Sequence, residues 1–372
     1  MRILHVITKL DVGGAQSVVR ELALQQAVAG NTVRVATGLG GPVTDDLASH
    51  GIAVSVLSDL VHRVSPRQDR RTIRALMELL REQQIDVLHA HSSKGGLLGR
   101  LAARRCDVPS VYTAHGWPFQ SGAPFAQRAQ SVIGEWVGGR LGGEIVCVNQ
   151  REGEMASRLR IGRRGHRHVI PNGIAFRPAV ERVQRSLNHP LRLVMVARLS
   201  PPKRADVLID ALALLQADGL SESSGVRLAI VGDGKLASSL KSRVRKLELQ
   251  DCVEFVGLAE PTPFLDQADA FCLASDYEGT PMTVLEAMRA GLPTIANNLP
   301  GVSEALGAVS GRLCELTPTS FAAAIRLLGS DPLRAHQMGK FARTRWEENY
   351  EASVMAASYD QLYKGLQPRR QL

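Results

Sequence analysis

The stretch that reveals the fold most directly is AFCLASDYEGTPMTVLEAMR, residues 270–289. It begins with an apolar run, 270–274, that predicts a buried strand. A Gly-Thr-Pro bend follows, and the run 283–289 then predicts a helix. A strand, a bend and a helix in this order make one unit of a parallel α/β sheet, and such sheets bind ligands at the carboxyl ends of their strands.

Two carboxylates, Glu278 and Glu286, stand eight positions apart around this bend. The N–H groups of a helix start can bind a phosphate, and carboxylates beside it can accept hydrogen bonds from sugar hydroxyls. The arrangement therefore suits a ligand that is part sugar and part phosphate, as a nucleotide-sugar is. Two plainer interpretations stay open: Thr283 and Glu286 also fit a capping box, and Glu278 fits a solvated loop acid.

Length and composition indicate a soluble globular protein with two domains. The chain has 372 residues, which is more than one hydrophobic core usually holds. Of these residues, 44% are hydrophobic and 22% are charged. No apolar run is long enough to span a membrane, and the apolar amino terminus is too short for a secretory signal, so we expect a cytoplasmic protein. The five cysteines form no C-x-x-C pair, and we infer neither disulfides nor a zinc site.

The net charge of +9 is unevenly distributed along the chain. Residues 1–180 contain 23 Lys+Arg and 14 Asp+Glu, an excess of 9, whereas residues 181–372 contain 22 of each. A one-sided excess of this kind indicates that one domain faces an anionic surface or substrate.

Strand-like and helix-like runs alternate throughout the chain, which predicts parallel sheets built from βαβ units. We expect an α/β fold with two doubly wound, Rossmann-like domains that face a cleft. The predicted boundaries are an amino-terminal domain at 1–175, a linker at 176–190, a carboxyl-terminal domain at 191–350, and a final helix at 351–372 placed to pack back on the first domain.

Several residues at strand ends of the second half have the chemistry of phosphate binding. Arg198 can fork two phosphate oxygens and Lys203 can act as a point charge, although a solvated basic turn is an open alternative because Arg204 is adjacent. Gly232 lies in a tight turn after a strand, where glycine permits a close approach of the backbone to a ligand.

The first half offers its own candidates after predicted strands. Gly14 begins a helix, where an anion is favoured, and Lys94 could hold an acceptor phosphate or be an ordinary surface lysine. His115 could bond a sugar hydroxyl or simply order its loop. Trp117 and Phe119 could stack on a sugar face or be ordinary packing. The sequence contains no D-x-D, no P-loop and no G-x-S-x-G elbow, so we expect Arg, Lys and helix ends, without a metal ion or other cofactor, to meet the charge of a leaving diphosphate.

Taken together, the motifs resemble the large family of retaining glycosyltransferases of GT-B fold called family 4. The resemblance runs along the whole chain and is strongest from Arg192 to Glu304. The matching motifs are Thr113-Ala114-His115-Gly116-Trp117, Pro171-Asn172-Gly173-Ile174, Arg198-x4-Lys203 and Glu278-x7-Glu286. The first of them resembles a version common in capsule and exopolysaccharide enzymes. One departure is Arg204-Ala205, where many relatives carry glycine.

The resemblance implies a role for each matching residue. Glu286 would bind ribose hydroxyls, Glu278 would contact the donor sugar, and Arg198 and Lys203 would neutralise the departing diphosphate. Backbone at Gly14, Gly279 and Thr280 would lie along the phosphates or the sugar, and His115 would steady the sugar near the reacting carbon. Transfer would retain the configuration of the sugar by same-face attack. The donor would be a nucleotide-sugar, UDP-linked by family preference. The acceptor would be a glycan or a polyprenyl-diphosphate-linked glycan. Lys94 and Trp117 are the candidates for acceptor contacts.

A basic helix suggests an anionic membrane surface as a further candidate partner, with the protein peripheral on the inner face. Five arginines cluster where this helix begins, and three more follow in a second patch: Arg63, Arg67, Arg70, Arg71 and Arg74, then Arg100, Arg104 and Arg105. The alternative is an ordinary helix with its apolar face in the core and a solvated basic face. Two alternatives for the whole chain also stay open, a nucleotide-sugar epimerase on the same fold and a non-catalytic basic binding protein. No nucleic-acid-binding motif is recognisable.

Overall fold

A computed structural model describes residues 1–11, 13–117, 119, 125–182, 185–187, 189–218 and 225–366, with only the backbone for 125–127. Val12, Pro118, part of the predicted linker and the end of the final helix therefore lie outside the described residues. The chain divides into two compact units, which we call unit 1 (1–175 and 350–372) and unit 2 (176–349).

Unit 1 alternates strands with helices, as the sequence pattern predicts. Its strands are β1 (Arg2–Ile7), β2 (Thr32–Thr37), β3 (Ala53–Val56), β4 (Val87–Ala90), β5 (Ser110–Ala114), β6 (Glu144–Cys147) and β7 (Arg167–Val169). Its helices are α1 (Gly14–Val28), α2 (Pro42–Ser49), α3 (Pro66–Glu82), α4 (Ser93–Arg105), α5 (Phe125–Arg140), α6 (Gln150–Arg158) and α14 (Ala352–Lys364). In the described part of the chain these strands form one parallel sheet in the order β3-β2-β1-β4-β5-β6-β7.

Unit 2 repeats the same plan. Its strands are β8 (Leu191–Val196), β9 (Val226–Val231), β10 (Val253–Gly257), β11 (Ala270–Leu273), β12 (Thr294–Asn297) and β13 (Gly311–Cys314). Its helices are α7 (Ala205–Ala217), α8 (Ala237–Lys246), α9 (Thr262–Gln267), α10 (Met282–Arg289), α11 (Pro300–Leu306), α12 (Pro318–Ser330) and α13 (Pro332–Asn349). Its parallel sheet has the order β10-β9-β8-β11-β12-β13. The strand order reverses between β8 and β11, and such a switch point leaves an opening at the carboxyl ends of the strands.

Burial of both faces explains the composition of the strands. Central strands such as β4, β6 and β11 are buried at every position, because helices cover both sides of a parallel sheet. In unit 2 a cluster of buried apolar residues joins the sheet to α7 and α12 through residues such as Leu208, Leu212, Phe321 and Ile325.

The chain leaves unit 1 and returns to it through two adjacent stretches. The Ile174 N–H donates to the Tyr350 carbonyl at 3.0 Å, and the Ala352 N–H donates to the Ile174 carbonyl at 2.9 Å. Gly173 lies so close that a Cβ there would stand 2.8 Å from the Glu351 carbonyl oxygen. The turn 171–174 therefore pairs with the start of α14, and α14 packs within unit 1 against α1.

The described part of the predicted linker at 176–190 packs against unit 2. Arg177 forms an ion pair with Asp266, next to the end of α9. The Arg182 guanidinium donates to three backbone carbonyls, those of Leu265, Ala268 and Ala290.

Unit 1 buries a connected layer of polar side chains on one face of its sheet. His5 of β1 and His89 of β4 are register partners, and His91 and Thr113 belong to the same layer. Gln26 of α1 and two tyrosines of α14 complete the layer: Tyr363 Oη lies 2.6 Å from His89 Nδ1, and Tyr359 Oη lies 2.8 Å from Thr113 Oγ1. The polar layer therefore ties α1 and α14 to the sheet.

Burial keeps the histidines of this layer neutral. It lowers the pKa of His5 from 6.5 to about 4 and the pKa of His115, which contacts His91, to about 4. Burial also lowers the pKa values of His89 and His91 well below 6.5. The unfolded chain binds protons below pH 6.5, whereas the folded unit resists them, so the stabilisation is complete above pH 6.5 and is lost as the pH falls toward 4.

We therefore expect the free energy of unfolding to fall steeply between pH 7 and pH 5, because unfolding takes up roughly one proton per buried histidine. Urea unfolding at a series of pH values measures this slope. His91→Gln should reduce the slope by about one proton, because it removes one such group. Thr72→Val, a buried substitution elsewhere in unit 1, should keep the full slope. Equal slopes for the wild type and His91→Gln would contradict the assignment.

Candidate functional site

Three loops meet at the carboxyl edge of the unit 2 sheet, beside its switch point. The Leu199 N–H after β8 donates to the Asp233 carbonyl after β9 at 2.9 Å. The loop after β8 also binds the loop after β11, because the Arg204 N–H donates to Ala274 and the Asp276 N–H donates to Pro202, both at 2.9 Å. The strand order thus brings together segments that are far apart in sequence.

Lys203 and Glu278 form an ion pair at this edge. Their side chains are only 17% and 12% exposed, so the pair is largely shielded from solvent. The alternative interpretations of Lys203 as part of a solvated basic turn and of Glu278 as a solvated acid are therefore wrong.

Arg198 lies in the same loop as Lys203 but is exposed, and its guanidinium pairs with no carboxylate among the residues that the structure describes. A guanidinium in this state can fork two phosphate oxygens without first breaking an internal ion pair. The edge therefore offers one held cation and one open cation.

Arg204, which stands where many relatives carry glycine, braces the loop rather than disturbing it. Its guanidinium binds Asp206 in the first turn of α7 and Asp276 in the loop after β11. Hydrogen bonding to Asp206 raises the pKa of Arg204, so the group stays charged. Its φ of −120° is one that any residue adopts, and the position needs no glycine.

Glu286 lies in the second turn of α10 and is partly buried. The helix begins at Met282 with Pro281 as its N-cap residue, and no side chain caps it. Thr283 is therefore already inside the helix, and the alternative of a capping box between Thr283 and Glu286 is wrong. Because α10 follows β11, its first turn lies at the same sheet edge as Lys203 and Glu278.

The glycines at this edge allow close backbone contacts. Gly232 has φ +133°, and a Cβ there would stand 2.1 Å from the Ala197 carbonyl oxygen. Gly279 and Thr280, the other predicted backbone contacts, pack against Gly301 of α11, where a Cβ would stand 1.5 Å from the Gly279 oxygen. Side chains of any size at Gly232 or Gly301 would displace the loops that carry the predicted site.

Sequence reasoning missed the pair that anchors the loop after β11. The buried Asn297 side chain accepts from the Ser275 N–H at 3.0 Å and donates to the Ser275 carbonyl at 2.9 Å. Asn297 ends β12, next to β11 in the sheet, and an asparagine that closes an apolar strand was the available signal.

In unit 1 the predicted residues Gly14, Lys94 and His115 follow β1, β4 and β5, which are neighbours in the sheet, so they share its carboxyl edge. Gly14 is exposed at the first position of α1. Lys94 is buried and binds Asp69 of α3 at 2.7 Å and the Arg63 carbonyl at 3.2 Å. The alternative of an ordinary surface lysine is therefore wrong, and any acceptor phosphate would compete with Asp69.

Trp117 and His115, which both follow β5, differ in burial and in hydrogen bonding. Trp117 is 2% exposed, stacks on Phe119 and donates its indole N–H to the Glu152 carbonyl at 3.1 Å. Its ring is a core contact and presents no open face for a sugar. His115 is partly buried, and its Nε2 lies 3.0 Å from His91 Nδ1, while its Nδ1 has no hydrogen-bond partner among the described residues.

The basic helix keeps its apolar face in the core. Leu76 and Leu80 of α3 are buried, with Ile73, Met77 and Leu79 packed against the same cluster, whereas the five predicted arginines of α3 and its approach are exposed. Arg104 and Arg105 are also exposed, but Arg100 is buried, 4.6 Å from the Tyr112 ring centroid, and it does not belong to a surface patch. None of the helices in the described ranges has both the length and the apolarity that crossing a bilayer requires.

One group of side chains could offer three ligands to a metal ion, although the sequence led us to expect no metal. Ring nitrogens of His5, His89 and His91 lie within 4.8 Å of one another. Each of the six ring nitrogens, however, is within hydrogen-bond distance of a side chain: Gln26, His91, Tyr363, Thr113, His5 or His115. A metal ion would have to replace several of these bonds.

Comparison with known proteins agrees with this architecture. Two family models match adjacent parts of the chain: Glycosyltransferase Family 4 matches residues 12–176 and Glycosyl transferases group 1 matches residues 177–345. An Escherichia coli relative named UDP-Gal:alpha-D-GlcNAc-diphosphoundecaprenol alpha-1,3-galactosyltransferase is 29% identical over 276 residues, 70% of each chain. The O-antigen biosynthesis glycosyltransferase WbnH of Escherichia coli is 26% identical over 301 residues, 80% of this chain and 82% of the relative.

The fold has close counterparts among solved structures. The crystal structure of Anabaena Alr3699/HepE in complex with UDP matches with a TM-score of 0.81 and 20% identity, covering 98% of this chain and 100% of that one. The structure of the same protein with UDP-glucose gives a TM-score of 0.80. With both halves matched by family models and the two parallel sheets matched by these structures, the chain belongs to the family 4 glycosyltransferases and has the GT-B fold.

Proposed function

We propose that this glycosyltransferase moves a sugar, with retention of configuration, from a UDP-sugar to a glycan or a polyprenyl-diphosphate-linked glycan in cell-surface polysaccharide synthesis. The observation that carries the proposal is the carboxyl edge of unit 2, where Lys203 is held by Glu278 and Arg198 is open to a ligand. The Escherichia coli relative that bears the name of a UDP-Gal transferase to a diphosphoundecaprenol-linked sugar supports the donor and the acceptor class.

In the proposed reaction, protein cations take the place of a metal ion. The leaving UDP gains negative charge at its diphosphate, and preorganised donors stabilise such charge most where it develops. Arg198 can fork two oxygens, Lys203 supplies a point charge, and the first N–H groups of α10 point along the same edge. The bond between the anomeric carbon and the diphosphate oxygen breaks, and the acceptor oxygen bonds to that carbon on the same face while the departing phosphate oxygen takes the acceptor proton. No enzyme carboxylate acts as the nucleophile.

The two glutamates have separate roles in this proposal. Glu286, on α10, accepts hydrogen bonds from the ribose hydroxyls. Glu278 orients Lys203 and contacts the donor sugar, so its charge acts on the sugar as bond breaking begins. His115 of unit 1 contacts a hydroxyl of the donor sugar, and Lys94, once released from Asp69, binds the acceptor phosphate.

We expect UDP-sugars, but not GDP-sugars, to raise the melting temperature in the presence of EDTA. At a ligand concentration of 100 Kd the gain is about 2.7 kcal/mol, which corresponds to a shift of about 5–10 °C. Arg198→Ala should lose most of the shift, since a guanidinium contact to the diphosphate is removed. Arg245→Ala, an exposed arginine in the last turn of α8 at the opposite sheet edge, is the matched control and should keep it. A shift that appears only after a divalent ion is added would contradict the metal-independent proposal.

The two glutamates should differ in steady-state kinetics. Glu286→Ala removes ribose contacts and should raise KM for the donor by about tenfold with a smaller change in kcat. Glu278→Ala leaves ribose binding intact but frees Lys203, and it should lower kcat by about 100-fold. Glu278→Gln, which keeps the size of the side chain, separates loss of charge from loss of packing. Unchanged kinetics in both alanine variants would remove the glutamates from the site.

We further propose that unit 1 docks on anionic membranes. The exposed basic face of α3 complements anionic headgroups, and α5, which packs on α4 as α3 does, exposes Ile133, Trp136 and Val137. Exposed arginines and exposed apolar side chains on helices that share one neighbour are the composition of surfaces that insert shallowly into a bilayer.

Sedimentation with liposomes that contain anionic lipid tests the docking. Replacing the five arginines of this face (Arg63, Arg67, Arg70, Arg71 and Arg74) by glutamate should weaken binding by more than about tenfold, since each basic residue near the surface contributes about 1 kcal/mol. The matched control makes the same charge change on exposed cations of unit 2: Arg227, Lys235, Lys241, Arg245 and Lys246. Equal binding by the two variants would argue against a docking face on α3.

A further inference from the structure

His115 stands at the end of a chain of hydrogen-bonded side chains that begins at Gln26. Gln26 Oε1 lies 2.7 Å from His5 Nε2, and His5 Nδ1 lies 2.9 Å from His91 Nε2. His91 Nδ1 in turn lies 3.0 Å from His115 Nε2. Gln26, His5 and His91 are all at most 2% exposed, so the chain runs through the interior of unit 1.

A chain of neutral imidazoles has a direction. Each neutral ring carries one N–H and one lone pair, so a ring that donates through one nitrogen must accept through the other. Once the donor is fixed at one contact, it is fixed at the next contact and at every contact along the chain. The four histidines of the layer are neutral at physiological pH because burial lowers their pKa values.

The Gln26 amide fixes this direction, because its oxygen can only accept. His5 must therefore donate from Nε2 and accept at Nδ1. His91 then donates from Nε2 to His5, and His115 donates from Nε2 to His91. The result is that His115 Nδ1 carries a lone pair, and this atom is buried without a hydrogen-bond partner among the described residues.

A second branch is satisfied by this orientation of the amide. Gln26 Nε2 donates to Tyr363 Oη at 3.3 Å, and Tyr363 Oη lies 2.6 Å from His89 Nδ1. His89 Nε2 lies 2.7 Å from Thr113 Oγ1, which also contacts Tyr359 Oη. The hydroxyl of Tyr363 accepts from Gln26 and donates to His89, so the helix α14 completes the environment of the amide.

Turning the amide over would reverse every bond of both branches. His115 would then carry its proton on Nδ1, which would leave a buried N–H group without an acceptor. Orphaned buried N–H groups are rarer in proteins than under-satisfied acceptors. The order with a lone pair on Nδ1 is therefore the favoured one.

We propose that Gln26, acting through His5 and His91, is a positioning residue that fixes His115 as the Nε2–H tautomer and so presents Nδ1 as an acceptor for a hydroxyl of the sugar substrate. The identity of the ligand rests on the proposed function, whereas the tautomer does not. The same bonds explain the histidine cluster without a metal ion, since the layer contains no carboxylate among the described residues to offset a buried dication.

The direct test is long-range ¹H–¹⁵N NMR of the full chain labelled at histidine nitrogens, without substrate, at pH 7.5. The His115 signals are identified by their loss in His115→Asn. We expect an unprotonated Nδ1 and a protonated Nε2 at His115. A protonated Nδ1 would overturn the proposal. Shifts of the His5, His89 and His91 signals on adding Zn²⁺ would also overturn it, in favour of a metal site.

Variants connect the tautomer to activity. Gln26→Leu removes the amide and should give a mixture of His115 tautomers, with kcat lowered about fivefold, the value of one hydrogen bond. Binding of UDP, which lacks the transferred sugar, should stay unchanged. Tyr363→Phe should have a smaller effect of the same kind, because the amide stays but loses its anchor. Thr72→Val controls for a buried substitution and should keep the wild-type tautomer and kcat.

The outcomes separate the two proposals. If the wild type shows the expected His115 tautomer but transfers no sugar from any UDP-sugar, the proposed function is contradicted and the role of Gln26 in fixing the tautomer stands. Transfer from a UDP-sugar with a single His115 tautomer that Gln26→Leu leaves unchanged would keep the function and overturn the role of Gln26.

Discussion

The ion pair between Lys203 and Glu278 is the contact on which the candidate site of unit 2 depends. Lys203 follows β8 and Glu278 follows β11, strands that are adjacent only because the strand order reverses there. Arg204 and the Ser275–Asn297 pair fix the two loops from either side. The lysine is consequently held in place before any ligand arrives, and fixed charges of this kind stabilise a developing charge without having to reorganise.

The polar layer of unit 1 and the carboxyl edge of unit 2 hold their polar groups by different means. At the edge of unit 2 the carboxylates of Glu278 and Asp276 are paired with Lys203 and Arg204 and remain partly in contact with solvent. Inside unit 1 the buried imidazoles are neutral, and their cost is met by hydrogen bonds alone. An ion pair at such an edge can exchange its carboxylate for a ligand phosphate. A neutral network cannot change one bond without changing its neighbours, which makes it suited to holding one side chain, His115, in one state.

The strands, their order of alternation and the motif positions follow from local sequence, because apolar runs and the turns between them are local properties. The contacts inside unit 1 do not. Gln26 and Tyr363 are 337 residues apart, and no local pattern joins them. A partial signal was present: His89 in β4 and His91 just after it stand two positions apart, as do Thr113 in β5 and His115 just after it, and polar residues at alternate positions of buried strands predict a shared polar layer. Trp117 was misleading for a different reason, since an aromatic residue after a strand fits a rim and a core equally well.

The return of the chain to unit 1 has a physical reason in this layer. Without α14, Gln26 Nε2, His89 Nδ1 and Thr113 Oγ1 would each lose a partner, and a buried polar group left unsatisfied costs about 1–3 kcal/mol. The tyrosines of α14 supply those partners, and the paired backbone at Ile174 and Tyr350 brings the helix to them. One face of α14, with its two tyrosines, therefore belongs to the interior of unit 1. Because its Tyr363 contacts the same amide that orders the histidine chain, α14 contributes to the state of His115 without touching it.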